Sequence, residues 1–245
     1  MNYGFFTDRG LDKQNLNADP WNKLEWHPDI NSYGYRCQEW DGVMPEGKKN
    51  VVILGCSHTF GQGLRPKEHW VFDVSRHNNQ RLRYWNLGVP GASGECCVRR
   101  LWGSQKLIDP KIVIMCWPDI SRRAWYGDDT PVPLHGTEKQ NQYQTHESDV
   151  KNFLHNVFWV QKYAEVNQAK VFHCFATDPI EHDDLKGLNV LEHYTIKNCW
   201  PYWDKFEQRV PYNDPCFALD GKHYGQKHHH RFAQLFLEKF STKLK

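Results

Sequence analysis

Four short apolar runs, each followed by a stretch of helical length, constrain this chain more than any other feature of its sequence. Val51–Leu54, Arg83–Leu87, Ile112–Trp117 and Val171–Ala176 are rich in β-branched and aromatic residues and nearly continuous, the character of strands covered on both faces. Between them, Glu68–His77, Ser93–Ile108 and Ser148–Asn167 have helical length. In the last of these, Val150, Phe153, Leu154, Val157, Phe158 and Gln161 fall on one face. The chain closes with Gly225–Leu244, where Phe232, Leu235, Phe236, Phe240 and Leu244 form an apolar stripe. Strands and helices that alternate in this way predict a parallel sheet with right-handed crossovers and helices on both faces. In such a doubly wound α/β domain, sites lie at the carboxyl ends of the strands.

At 245 residues, one large domain buries a core without staples. Residues 1–49 show no sustained period. They carry a turn at Asn31-Ser32-Tyr33-Gly34 and the aromatics Trp21, Trp26 and Trp40, and are expected to form an irregular extension wrapping a folded domain at 50–245. Residues 126–147 and 178–216 are long, polar and rich in Pro, Gly, Asn and Asp, as binding loops or lids are.

Several function classes fall away. Thirty-one Lys and Arg against 29 Asp and Glu leave a formal charge of +2 with no basic block, so nucleic acid is not an expected partner. The apolar runs are too short to cross a bilayer and Met1-Asn2-Tyr3-Gly4 opens no signal peptide, so neither a membrane partner nor secretion is expected. The eight cysteines have no repeating spacing, and Cys96 adjoins Cys97. They read as reduced thiols, in keeping with a cytoplasmic location. Neither Cys-x-x-Cys nor His-Glu-x-x-His occurs, and His228-His229-His230 would point in three directions on a helix. No metal or cofactor is expected.

The first strand runs into Gly55-Cys56-Ser57-His58-Thr59-Phe60-Gly61-Gln62-Gly63, which places Ser57 just past the carboxyl end of a buried strand, where a nucleophile can sit. The loop lacks the Lys-Ser or Lys-Thr of a P-loop, the Gly-x-Gly-x-x-Gly of a dinucleotide fold and the second glycine of a Gly-x-Ser-x-Gly elbow. Near the far end, Asp220-Gly221-Lys222-His223 precedes the terminal helix. A carboxylate three residues before an imidazole can accept its Nδ1 proton and leave Nε2 free to take a hydroxyl proton; the same spacing also suits a capping Asp and a surface His. A third strand end, Asn86-Leu87-Gly88-Val89-Pro90-Gly91-Ala92-Ser93, can aim backbone N–H groups at a developing oxyanion.

Together, Gly55-Cys56-Ser57 with its following glycines, Asn86 to Ser93, and Asp220-x-x-His223 before a last helix resemble the SGNH (GDSL-like) hydrolases over about residues 30–240. Asn31-Ser32-Tyr33-Gly34-Tyr35-Arg36 also looks like the lead-in of some members, and Gly63 followed by Glu68 and Trp70 fits their first helix. The resemblance implies a flavodoxin-like three-layer α/β/α sandwich. It further implies Ser57 as nucleophile, His223 as general base, Asp220 as orienting carboxylate, and the N–H groups of Ser57 and Gly91 as part of the oxyanion hole.

One block departs from the pattern: where the family has Gly-x-Asn-Asp after the third strand, this chain has Cys116-Trp117-Pro118-Asp119. Proline cannot donate a hydrogen bond. Asn86, the Trp117 indole and Arg122 are the groups that could take over that donation or contact substrate, and His58, beside the nucleophile, is a further candidate contact. Cys56 stands where the family often has Asp; its side chain is expected to point away from the site, with Ser57 reaching in.

The expected activity is therefore a serine esterase acting on a small acyl ester, foremost an O-acetyl group on a glycan. The alternative is a catalytically weakened binding or structural protein, resembling SGNH-like proteins of tailed bacteriophages and associated with a virion.

Overall fold

The computed structural model describes residues 30–39, 47–127, 130–134, 144–180, 183–196, 217–220 and 223–245. Its strands are β1 (Lys49–Leu54), β2 (Leu82–Asn86), β3 (Pro110–Trp117), β4 (Arg123–Gly127), β5 (Thr130–Leu134), β6 (Lys170–Phe175) and β7 (Val190–Thr195). The helices are α1 (Ser57–Phe60), α2 (Trp70–Arg76), α3 (Gly94–Ile108), α4 (His146–Asn167) and α5 (Gln226–Phe240). The expected anchors Trp21, Trp26 and Trp40, and with them the wrapping role of residues 1–49, lie outside the described residues apart from 30–39 and 47–49.

Five strands form one parallel sheet in the order β2-β1-β3-β6-β7. Counted along the chain, these five run 2-1-3-4-5, the flavodoxin-like order, whose switch point lies between the first and third strands. The centre of the sheet is sealed on both faces: Val51, Val52, Ile53 and Leu54 on β1 and Ile112 through Trp117 on β3 are all buried. That burial is why these strands read as continuous apolar runs instead of alternating ones.

The helices start where the chemistry of their first residues allows. Ser93 caps α3 by accepting from the Cys96 N–H. Thr145 and Ser148 exchange bonds in a capping box that starts α4 two residues before the expected Ser148. α5 packs on α2 through Trp70, whose ring meets Phe232 at 5.2 Å and whose backbone N–H donates to His229 Nδ1 at 3.3 Å.

Three expectations need correction. Residues 178–216 are not one loop, since β7 lies inside them as the edge strand beyond β6. Likewise, 126–147 contains part of the antiparallel hairpin β4-β5 and the start of α4. On α4 the buried positions are Asp149, Phe153, Asn156, Val157, Val160 and Tyr163, while Phe158 is 58% exposed. The stripe turned to the sheet is rotated toward Asn156 and Val160, away from Phe158.

Among the described residues Cys37, Cys56, Cys96, Cys97, Cys116 and Cys174 are free thiols. No helix among the described residues is long and apolar enough to cross a membrane.

Candidate active site

The site assembles at the carboxyl ends of β1, β2 and β3. Pairing of β1 with β2 runs on past both strands, because Leu87 N–H donates to Ile53 O at 2.8 Å and Val89 N–H to Gly55 O at 3.1 Å. The loop holding Gly91 is thereby laid beside the loop holding Ser57. On the other side Gly55 packs so closely on β3 that a Cβ there would sit 2.7 Å from Cys116 O. Only glycine fits.

Ser57 opens the short helix α1 and is 4% exposed. Being at the first helical position, its N–H has no carbonyl to bond within the helix. Gly91, at φ +75°, lies in the left-handed region that glycine enters without strain, and no hydrogen bond among the described residues occupies its N–H.

The lead-in motif braces this turn from behind. Asn31 Oδ1 accepts from the N–H groups of Tyr33 and Tyr35, both at 3.0 Å, closing a tight loop that presents Arg36. The buried Arg36 guanidinium donates to Phe60 O at 3.2 Å, Gly61 O at 2.6 Å and Leu64 O at 2.6 Å. These carbonyls sit at and just beyond the end of α1, the kind left without helical partners. The sequence shows the motif but not its task, because the acceptors lie 24 to 28 residues away.

Asp220 and His223 occupy a closed loop pinned at its base by Ala218 N–H donating to His223 O at 2.9 Å and by the Phe217–Tyr224 bridge. Within it Asp220 Oδ2 meets His223 Nδ1 at 2.6 Å and Oδ1 accepts the His223 N–H at 3.1 Å. The carboxylate is fully covered and the imidazole 19% exposed. Leu219 N–H donates to Gly63 O at 2.8 Å, which ties the loop to the end of the turn that carries Ser57. Beyond the loop the His223 ring reaches 5.5 Å from the ring of His58, the residue after Ser57.

Of the candidate substrate contacts, two are committed elsewhere, and a third, His58, is stacked aside with its Nδ1 buried and without a hydrogen-bond partner among the described residues. Asn86 is buried, its Nδ2 donating to Thr59 O at 2.9 Å and its Oδ1 accepting from Gly88 N–H at 3.0 Å, so it ties β2 to α1. Trp117 turns its indole away, donating to His173 Nδ1 at 3.0 Å and stacking on that ring. His58 is buried and stacked at 4.8 Å on Tyr224, a residue nothing in the sequence singles out. Burial, then His223, His229 and Arg122, hold its pKa well below 6.5, so it is a neutral spacer between α1 and the His223 loop.

Arg122 is different. A turn at the end of β3 brings it round, with Arg122 N–H donating to Asp119 O at 3.2 Å and Asp119 Oδ1 accepting from Ser121 N–H at 2.9 Å. Its Nη1 is sealed from solvent and has no hydrogen-bond partner among the described residues. Its neighbour Arg123 is spent on Asp149 at 2.6 Å.

Cys56 is buried, and burial outweighs the lowering influence of the Arg122 charge and of neighbouring His58 and Ser57 and keeps its pKa raised. It is a neutral thiol, the wrong state for a nucleophile. No group of three or more His, Cys, Asp or Glu among the described residues could hold a metal ion.

No protein-family model matches the sequence, and no curated protein matches it either. Solved structures do resemble the fold. The psychrotrophic esterase EstA from Pseudoalteromonas sp. has 14% identity and a TM-score of 0.46, covering 80% of this chain and 99% of that one. A member of the lipolytic G-D-S-L family from Veillonella parvula has 13% identity and a TM-score of 0.46, covering 79% and 98%. The acetyl xylan esterase AlAXEase has 12% identity and a TM-score of 0.42, covering 77% and 98%. These three neighbours are two esterases and a lipolytic family member, and the fold class of this chain rests on its own strand order.

Proposed function

We propose that this protein is a serine carboxylic-ester hydrolase. Ser57 Oγ attacks the ester carbonyl as His223 Nε2 takes its proton. The tetrahedral intermediate collapses, and the alcohol leaves with that proton. Water, deprotonated by His223, then releases the acid and frees Ser57. Asp220 fixes the imidazole tautomer, and the N–H groups of Ser57 and Gly91 point at the oxyanion.

The observation that carries this reading is the covered Asp220 carboxylate, 2.6 Å from His223 Nδ1, on a loop tied to the turn that holds Ser57. A buried carboxylate on Nδ1 leaves Nε2 as the acceptor. The covered position of Ser57 favours a small acyl group, an O-acetyl ester on a glycan foremost. The test is acylation by a fluorophosphonate probe, read by intact mass. Stoichiometric labelling that vanishes in Ser57→Ala is expected. A folded protein that takes no label would instead support a binding or virion-associated role, the reading that Pro118 favours.

A further inference from the structure

The proposed esterase is short of one donor, since Pro118 stands at the end of β3 where the resembled family has asparagine. Of the groups near enough to replace it, Asn86 is occupied by Thr59 and Gly88, and the Trp117 indole by His173. Neither side chain can turn to the substrate without abandoning a buried partner, which costs the full desolvation of the group left behind. His58 Nδ1 is also buried and unbonded among the described residues, but its ring is neutral and stacked on Tyr224, a weaker donor than a charged group. Arg122 remains, with one nitrogen of its fork inside the protein and unbonded among the described residues.

We propose that the Arg122 guanidinium is the third oxyanion donor of this site, acting from the turn after β3 in place of a neutral amide. Its location supports this, because the Arg122 charge acts on both Cys56 and His58, the residues flanking Ser57. Its chemistry supports it as well. A charge-assisted donor is stronger than an amide, and a buried, unbonded N–H can bond oxygen as negative charge develops there. The Asp119–Ser121 bonds hold the turn that carries it, so little reorganisation is needed as the charge appears. The assignment rests on the esterase reading above.

The experiment compares wild type with Arg122→Gln and Arg122→Lys, using p-nitrophenyl acetate, the half-ester p-nitrophenyl succinate and the fluorophosphonate probe. Arg122→Gln is expected to lower kcat about a hundred- to a thousand-fold on both esters with KM within about threefold, and to slow phosphonylation of Ser57 comparably. Arg122→Lys should recover part of the loss on both, and millimolar guanidinium should partly restore Arg122→Ala. A purely structural role gives no such rescue. Three results overturn the proposal: kcat within about threefold in Arg122→Gln, a loss confined to KM, or a loss confined to the anionic succinyl ester. The last would make Arg122 a ground-state anchor for carboxylates. Wild-type protein that neither turns over an ester nor takes the label would remove the esterase reading and this one together, whereas an active wild type with an indifferent Arg122 removes this one alone.

Discussion

Gly63 controls how near the Asp220 loop can come to the turn that carries Ser57. At φ +73° it occupies a region L side chains avoid, and a Cβ there would lie 2.8 Å from Asp220 Cγ and 2.9 Å from Ala218 Cβ. Gly63→Ala is therefore expected to cost roughly 1–3 kcal/mol and to slow Ser57 labelling, because Asp220 must retreat and carry His223 with it. Urea unfolding and the labelling rate would check the two halves. Unchanged labelling in a destabilised variant would show that the loop's position does not govern Ser57. Arg36 makes a parallel case, since its three carbonyl acceptors belong to buried residues and, among the described residues, only Gly61 O has a further backbone donor, the Leu64 N–H at 3.2 Å. Arg36→Ala should cost about 2–4 kcal/mol in thermal or urea denaturation; a loss under 1 kcal/mol would mean that water reaches those carbonyls. In both cases the sequence displays the residue and hides the reason. Glycines after Ser57 and the Asn-x-x-Gly-x-Arg stretch are visible, but the contacts that need them come from residues far along the chain.

At the scale of elements, legibility followed burial. Three of the four apolar runs lie at or beside the middle of a sheet covered on both faces, and the fourth, Arg83–Leu87, is the edge strand β2, legible because Leu82, Tyr84, Trp85 and Leu87 are buried. The ends of all four differ from the expected ones by only a residue or two. β7 is hidden because it is set in a segment otherwise polar, with a register on β6 that shifts between His173 and Phe175. The hairpin β4-β5 escaped because Pro131 and Pro133 demote a strand reading. The α4 face was displaced because polar Asn156 and Asp149 were not counted as interior, whereas Phe158 was. This yields a sharp contrast: Phe153→Ala should destabilise by about 3–5 kcal/mol and Phe158→Ser by less than about 0.5. Chemical denaturation of the pair would decide, and equal effects would show that the outer face of α4 is covered by something in solution.

Over the whole molecule, the most unusual feature is the number of histidines buried without charge. His58, His69 and His229 are held well below 6.5, chiefly by burial and then by neighbouring charges, His223 foremost at His58, Arg36 at His69 and His69 at His229, while burial alone takes His173 to about 4. In the unfolded chain each binds a proton near 6.5. The folded state is thus at no disadvantage above that value, and it loses stability as pH falls from 6.5 toward 4, where the unfolded chain holds more protons. The midpoint of thermal unfolding should be nearly level from pH 8 to 7 and fall steeply below 6. A flat profile down to pH 5 would mean these rings already share protons when folded. The sequence does not reveal this, because fourteen histidines do not announce which of them will be buried.

The docking of α5 on Trp70 also bears on when this protein becomes capable of anything. Ser57 leaves the ribosome early, yet Asp220 and His223 arrive with the last helix, and their loop is set by that helix and the Gly63 contact. On the proposed esterase reading, a growing chain can complete β1 through β6 while the serine stands without its base, so a copy that stops short of Asp220 and His223, on a polysome or cut back to β7 by a protease, is inert.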